Sequence, residues 1–270
     1  TQIMKKKLYT LILTLIVLFI GSICEAKDLK FIQVTDFHYT NSSTGDARLS
    51  RLVKSINSTK DLDFVIFTGD NIDSANPETL VKLLKAFRRI RVPYYIQIGN
   101  HDCFKAGGLD KKDYAKFVSK YSNQKLKNFN YVVKKDDVVF IFVDGMKEVI
   151  PAPSGYFKQD TLAWLEKQLK KYEKHPVVLV QHFPLINQRT NKPSGHDLFK
   201  VDEYYSVIKP YSNIISVIAG HYHYNREEEA NGIRHIVTQQ ASGSTPRYRI
   251  IYLQDEGKEG YSIMSQLVDF

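Results

Sequence analysis

The residues of this chain best suited to chemistry stand at the ends of its apolar runs. FIQVT is followed by Asp36-Phe37-His38, FVIFTG by Asp70-Asn71, and YYIQIG by Asn100-His101-Asp102. VVLVQ is followed by His182, and SVIAG by His221-Tyr222-His223. Carboxylate, amide and neutral imidazole are donors that suit Zn, Fe, Mn and similar divalent ions. The set is too large for one four-coordinate ion, and no pair of cysteines stands among it. Two ions sharing a bridging carboxylate match the number of donors. Such ions lie about 3.5–4 Å apart and clamp the attacking and leaving oxygens of an in-line displacement at phosphorus. One Asp-x-His is an ordinary loop and one Gly-Asp an ordinary turn; the repetition carries the signal.

Something must bring these run ends together. Lys30–Thr35, Asp63–Thr68, Pro93–Ile98, Val138–Val143, Pro176–Gln181 and Asn213–Ala219 read as strands, followed by Ile233–Thr238, Arg249–Leu253 and Tyr261–Leu267. Apolar residues at three- and four-residue spacing predict helices over Asp46–Ile56, Pro77–Arg88 and Gln159–Tyr172. Strands alternating with helices predict an α/β architecture, and near-continuous apolar strands predict a sheet covered on both faces. The three closing strands, with hairpin-length gaps, predict an antiparallel portion. In α/β sheets ligands gather outside the carboxyl ends of the strands, so five strands would deliver their polar residues to one rim. Gly69, Gly99 and Gly220 are expected to give the backbone the freedom to turn these side chains inward.

The ordered motifs D-x-H, G-D, G-N-H-D, H and G-H-x-H, from Asp36 to His223, resemble the calcineurin-like metallophosphoesterase family. Thr245–Leu253 (TPRYRIIYL) also resembles the closing strand of its cyclic-nucleotide phosphodiesterase-like branch. The resemblance implies a four-layer α-β-β-α sandwich of two mixed sheets flanked by helices. It implies that Asp36, His38 and His223 hold one metal, that Asn100, His182 and His221 hold a second, and that Asp70 bridges them. A hydroxide between the metals would be the nucleophile, since coordination brings the pKa of water toward about 7. His101 would bind the phosphate and protonate the leaving oxygen, with Asp102 orienting its imidazole. The cofactors would be two divalent ions, Mn, Fe, Zn or Co, and the ligand a small phosphoester. Purple acid phosphatases place a metal-binding tyrosine where this chain has Asp73, and protein phosphatases place an arginine where it has Ser74; both branches are disfavoured. The expected function is hydrolysis of phosphate mono- or diesters, the alternative a non-catalytic scaffold or interaction module on the same fold.

Further residues are candidates for substrate contact. Asn100 could touch phosphate as well as metal. His196 lies in a long loop, Pro184–Leu198, that follows His182. Tyr222 could stack on a ring, although packing is the plainer reading for a residue type present 17 times. Arg249 and Arg247 could reach phosphate or sit at a strand edge. His175 reads as a solvated strand end, His235 as structural, and Cys103 as a small buried hydrophobe.

Outside this region the N-terminus stands apart. Lys5-Lys6-Lys7, the apolar run Leu8–Ile20 and the exit Gly21–Ala26 have the layout of a secretory signal peptide. Thr1–Ile3 would precede the true start, and cleavage would follow Ala26, leaving residues 27–270 as the phosphoesterase domain and an exported protein, periplasmic or secreted. The run is short for a membrane span, which needs about 20 apolar residues. Retention as an anchor, or lipidation of Cys24, would place the chain at a membrane surface; Ile23 argues against lipidation. Without the leader Cys103 is the only cysteine, so no intramolecular disulfide can form. The formal charge of +9 becomes +7 once Lys5, Lys6, Lys7 and Glu25 are removed. That excess attracts anions. No basic block interleaved with aromatics appears, so a nucleic acid polymer is not an expected partner. Oligomeric state leaves no readable mark.

Overall fold

A computed structural model describes residues 28–188 and 194–270; the expected leader and part of the Pro184–Leu198 loop lie outside the described residues. The order is β1 (Leu29–Val34), α1 (Ser43–Ser58), β2 (Phe64–Thr68), α2 (Pro77–Phe87), β3 (Tyr94–Gln97), α3 (Lys111–Tyr121), β4 (Tyr131–Lys135) and β5 (Val138–Phe142). It continues with α4 (Gln159–Lys171), β6 (Val177–Val180), α5 (Val201–Ile208), β7 (Ile214–Ala219), β8 (Arg226–Ala230), β9 (Ile233–Val237), β10 (Arg247–Asp255) and β11 (Tyr261–Asp269).

The strands form two mixed sheets, ordered β11-β10-β1-β2-β3 and β4-β5-β6-β7-β9-β8. β1, β2 and β3 run parallel, as do β5, β6, β7 and β9. β1, β2, β3, β6 and β7 therefore end just before the residues singled out above, whereas β5 and β9 carry none of them. Alternation sorts the side chains: Phe31, Phe64, Ile66, Phe140, Val178, Ile218 and Ile251 meet between the sheets. Phe31 and Phe64 stack at 4.9 Å, with Phe140 edge-on at 5.4 and 5.2 Å. The opposite faces carry Ile32, Val65, Phe67, Val139 and Leu179, which pack with helix residues such as Leu49, Leu80, Leu83, Leu162 and Leu165. Phe67 of β2 stacks on Phe87 of α2 at 4.2 Å. This is the four-layer α-β-β-α sandwich.

Helix starts follow local chemistry. Ser42, Asn76 and Asp110 accept hydrogen bonds from Gly45, Thr79 and Asp113 N–H, capping α1, α2 and α3. Four elements go beyond the expected set. β8 reads REEEA and β4 reads YVVKK, both edge strands whose outer residues face water. α3 carries Tyr114, Phe117, Val118 and Tyr121 at helical spacing among four lysines, a signal that was available, and α5 has only eight residues. The closing strands also divide differently from expectation. β10 and β11 form an antiparallel hairpin against β1, whereas β9 lies parallel to β7 in the other sheet.

Candidate metal centre

The β1–β2 pairing continues past the strands: Asp36, His38 and Tyr39 N–H donate to the carbonyls of Gly69, Asp70 and Asn71 at 2.9–3.0 Å. Within these zipped loops the backbone turns left-handed. Among the described residues nine non-glycines have positive φ, and five are Asp36, His38, Asp70, His221 and His223. Each such residue costs on the order of 1–3 kcal/mol and persists where the surroundings over-determine it. The kinks redirect side chains that a continuing strand would send to alternate faces. Of the three glycines, only Gly69 has positive φ (98°). Gly99 and Gly220 are required for room instead. A Cβ on Gly99 would lie 2.2 Å from Asp70 Oδ1, and one on Gly220 would lie 1.8 Å from Thr35 Oγ1 and 2.4 Å from Asp36 Oδ2.

Two donor groups result. Asp36, His38, Asp70 and His223 each offer a ligand atom within 4.8 Å of the others, and so do Asp70, His182 and His221. Asp70 belongs to both. Its Oδ2 lies 3.8 Å from His38 Nε2 and 3.3 Å from His182 Nε2, while Oδ1 accepts from His101 N–H at 2.8 Å. Asn100 Oδ1 joins the second group, 3.2 Å from His182 Nε2. Asp36 Oδ2 accepts from Thr35 Oγ1 (2.6 Å) and His221 N–H (2.8 Å), which fixes the carboxylate plane. Backbone carbonyls select the tautomers. His182 Nδ1–H donates to Thr68 O at 2.9 Å, freeing Nε2, and His221 Nε2–H donates to His196 O at 3.1 Å, freeing Nδ1.

The remaining atoms fit cations. Asp36 Oδ1 is buried and makes no aligned hydrogen bond, although His223 Nε2 is 3.2 Å away. His38 Nε2 and His223 Nε2 face each other at 3.2 Å. Oxygen and nitrogen lone pairs converging in a buried site are costly to leave bare, and a divalent ion is the partner this donor set suits. The charges are strongly interdependent. Burial pushes the Asp70 carboxyl upward, but His182 and His38 outweigh it and hold it well below the ordinary range. Asp36 is likewise held down, by His223 and His182 against the effect of burial. Burial opposes charge on His182, yet Asp70 and Asp36 raise it to about 9. Burial, then His182, lowers His221 to about 4.

The other expected residues divide. His101 is exposed, and its Nδ1–H donates to Asp73 O at 2.7 Å, which leaves Nε2 free. Asp102 does not orient that imidazole. It is fully buried and accepts from Gly99 N–H (2.8 Å), Asn71 N–H (2.9 Å), Ile72 N–H (3.1 Å) and Asn71 Nδ2 (3.1 Å), joining the loops after β2 and β3. Burial, then the charge of Asp70, pushes its carboxyl up to about 7 against those hydrogen bonds. His196 reaches the site through its backbone carbonyl, and its side chain is exposed. Tyr222 is buried and donates to Ile186 O and Asp197 Oδ1, both at 2.9 Å, so it fastens the loop after β6. Arg249 is not aimed at phosphate. Its guanidinium is buried on Thr238 Oγ1, Glu227, Ser265 and Asn225, because packed sheets enclose it with a carboxylate. Asp73 was not among the expected ligands, yet its Oδ1 lies 3.7 Å from His38 Nδ1 and it forms a third group with His38 and His101. Its spacing three residues after Asp70, on the same loop, was the available signal.

Comparison with known proteins bears on the family and the fold. A family model described as calcineurin-like phosphoesterase matches residues 29–225. A 3′,5′-cyclic-nucleotide phosphodiesterase of Nostoc sp. is 24% identical over 220 residues, 78% of each chain. A probable glycerophosphodiester phosphodiesterase of Arcobacter nitrofigilis is 28% identical over 163 residues, 60% of this chain and 56% of its own. Among solved structures, a dimetal phosphatase of Danio rerio superposes with a TM-score of 0.61 at 14% identity, covering 90% of this chain and 99% of that one. The GAP50 anchor of the Plasmodium inner membrane complex also has a TM-score of 0.61, at 14% identity, over 90% and 84%. At such identity the structural likeness concerns the fold alone.

Proposed function

The chain belongs to the calcineurin-like phosphoesterase family and is a metal-dependent phosphoesterase, and on that premise we propose that it is an exported hydrolase of phosphate mono- or diesters that works with two divalent cations. The observation that carries the pair is Asp70, a single carboxylate shared by two groups of donors. Asp36, His38, Asp70 and His223 would hold one ion; Asp70, Asn100, His182 and His221 would hold the other. When bound, the ions supply Lewis acidity toward the phosphoryl oxygens and lower the pKa of water. The protein's part is positional. Asn100 faces His182 with its oxygen, so its amide N–H groups remain to donate to a phosphoryl oxygen. His101 is oriented by its Nδ1 contact with Asp73 O, so as a general acid its imidazolium would give up the proton on Nε2. In the hydrolysis, water oxygen bonds to phosphorus as the bond to the leaving oxygen breaks. Water gives up one proton to solvent, the leaving oxygen receives one from His101 Nε2, and His101 recovers its proton from solvent, so ester and water become acid and alcohol. The names of the relatives support diesters as substrates, and the N-terminal leader pattern supports export.

The test combines metal analysis with hydrolysis of bis(4-nitrophenyl) phosphate. Purified protein should retain two ions per chain, His182→Ala about one, and Asp70→Asn fewer than one. His101→Ala should keep both ions and lose about 100-fold or more in kcat, while His175→Ala should match the parent. A single bound ion, or full activity in His101→Ala, refutes the reading. A metal-loaded protein inert toward a broad ester panel would favour the scaffold instead.

A further inference from the structure

Beside His101 lies a cleft of about 530 Å³, within the range of small-molecule sites. Asn100 and His101 form one wall; Ala75, Phe104, Pro151 and Pro153 contribute to the others. Among the described residues no lysine or arginine lines it, and the only carboxylate is that of Asp73. Phe104, in the wall, is 40% exposed, and Val149 (64%) and Ile150 (77%) directly precede Pro151 in the chain. These are three of the five large hydrophobic residues exposed among the described residues, the others being Phe199 and Met264. Apolar surface gathered at one place marks a binding surface, whereas scattered single residues do not.

The cleft is also preformed. Lys105 N–H donates to Glu148 O at 2.8 Å, and Lys111 N–H donates to Glu148 Oε2 at 2.8 Å. Lys111 Nζ binds Met146 O at 2.7 Å, so the turn carrying Phe104 and the loop carrying Pro151 are one unit. The Phe104 ring lies against Gly107, where even a Cβ would come within 2.8 Å of it.

We propose that this cleft is the subsite for the alcohol half of the substrate, the half that departs with the oxygen protonated by His101, and that it selects an uncharged group of aromatic size. The proposal rests on the hydrolase reading for the identity of that half, though not for the existence of the site. Asn100 and His101 place the cleft against the scissile bond. Phe104 and the two prolines offer faces on which a flat ring stacks. A leaving group with its own phosphate or carboxylate would meet Asp73 with no cation in the walls to neutralise it. Aryl and nucleoside alcohols fit this chemistry; pyrophosphate-like leaving groups do not.

The experiment has a binding arm and a kinetic arm, both on the metal-loaded protein. Ligand-detected NMR would follow 2-naphthol and 6-hydroxy-2-naphthoate, and kinetics would follow the methyl phosphodiesters of the same two naphthols. The neutral probe should bind about tenfold more tightly, and Phe104→Ala should weaken it about tenfold. Met264→Ala, which removes an exposed apolar side chain elsewhere, should change neither. Ala152→Lys, placing a cation in the wall, should reverse the preference toward the carboxylate probe, and kcat/KM should follow the same order. Equal binding of both probes, or indifference to both Phe104→Ala and Ala152→Lys, overturns the proposal. Selective naphthol binding with no hydrolysis of any ester would uphold the site and reject the hydrolase reading.

Discussion

Replacing Asp102 with alanine tests whether this carboxylate serves the imidazole beside it in sequence or the backbone around it. Its oxygens hold the N–H groups of Gly99, Asn71 and Ile72 at 2.8–3.1 Å, with Tyr114 OH at 3.4 Å. Asn71 Nδ2 keeps a second acceptor, Gln97 O, so the loss falls mainly on three backbone donors, with the long bond from Tyr114 OH adding little. A buried donor left without a partner costs about 1–3 kcal/mol. Three would cost about 3–9 kcal/mol, and water entering the space brings this toward the lower end. Removing a carboxyl that burial and Asp70 already press toward neutrality offsets part of the cost. The expected loss is therefore about 3 kcal/mol, large for one substitution. Asp102→Asn should lose less. It keeps one acceptor oxygen but turns an amide N–H toward donors. Urea denaturation with bound metal reads the stability, and metal content with kcat reads the site. Because Asn71 and Asn100 adjoin Asp70 and His101, both variants should also retain metal poorly. An unchanged urea midpoint in Asp102→Ala would refute this account. So would an activity loss like that of His101→Ala with stability and metal intact; the carboxylate would then act on the imidazole.

Two further outcomes follow from the same geometry. Gly99→Ala should abolish metal retention at a cost of about 1–3 kcal/mol, because its Cβ would sit 2.2 Å from Asp70 Oδ1 and 2.7 Å from His182 Nε2. Gly195→Ala, which meets nothing within 4 Å, is the control, and elemental analysis decides between them. In the metal-free protein His182 is raised to about 9 from 6.5. Its stabilising contribution is therefore complete below pH 6.5 and is lost as pH rises through about 9. A cation must displace that proton from Nε2, so apparent affinity should fall by up to about tenfold per pH unit below about 9. Calorimetric titration with Zn at pH 7.5, in two buffers of different ionisation heat, should show about one proton released at this group; identical heats would contradict it.

The strand ends were legible because apolar runs stop at polar residues, and a strand needs only its own sequence to bury both faces. Asp36, Asp70, Asn100, His182 and His221 could thus be placed at one rim before any coordinates. Edge strands gave no such signal: REEEA in β8 sets a single apolar residue, Ala230, against four charged ones. Long-range partners were also hidden. Arg249 looked available to phosphate because Glu227 and Thr238, which enclose it, lie 22 and 11 residues earlier. Asp102 looked like a partner for His101 because they are adjacent, whereas two of its backbone donors, Asn71 and Ile72 N–H, lie 31 and 30 residues earlier. The left-handed ligand residues were only weakly marked, since Asp and His adopt positive φ more readily than most residues but usually do not.

What sustains that strain lies behind the site. Donors from two separate sheets must hold a common distance, and apolar contact between the sheets fixes spacing without direction. Gln33 supplies direction. Its Nε2 donates to Thr68 Oγ1 (3.0 Å) and Ala219 O (2.8 Å), the last residues of β2 and β7, and its Oε1 accepts from Thr238 Oγ1 (2.7 Å). Gly69-Asp70 and Gly220-His221 begin one residue later. Arg249 continues the chain of contacts through Thr238 to Glu227. A buried network of this kind is favourable only when every member is satisfied, so the pairing of the two sheets has one register in which it closes. That register places Asp70 between His38 and His182. The left-handed turns are then no longer free to relax, because relaxing them would break a ladder already continued through Asp36, His38 and Tyr39 N–H.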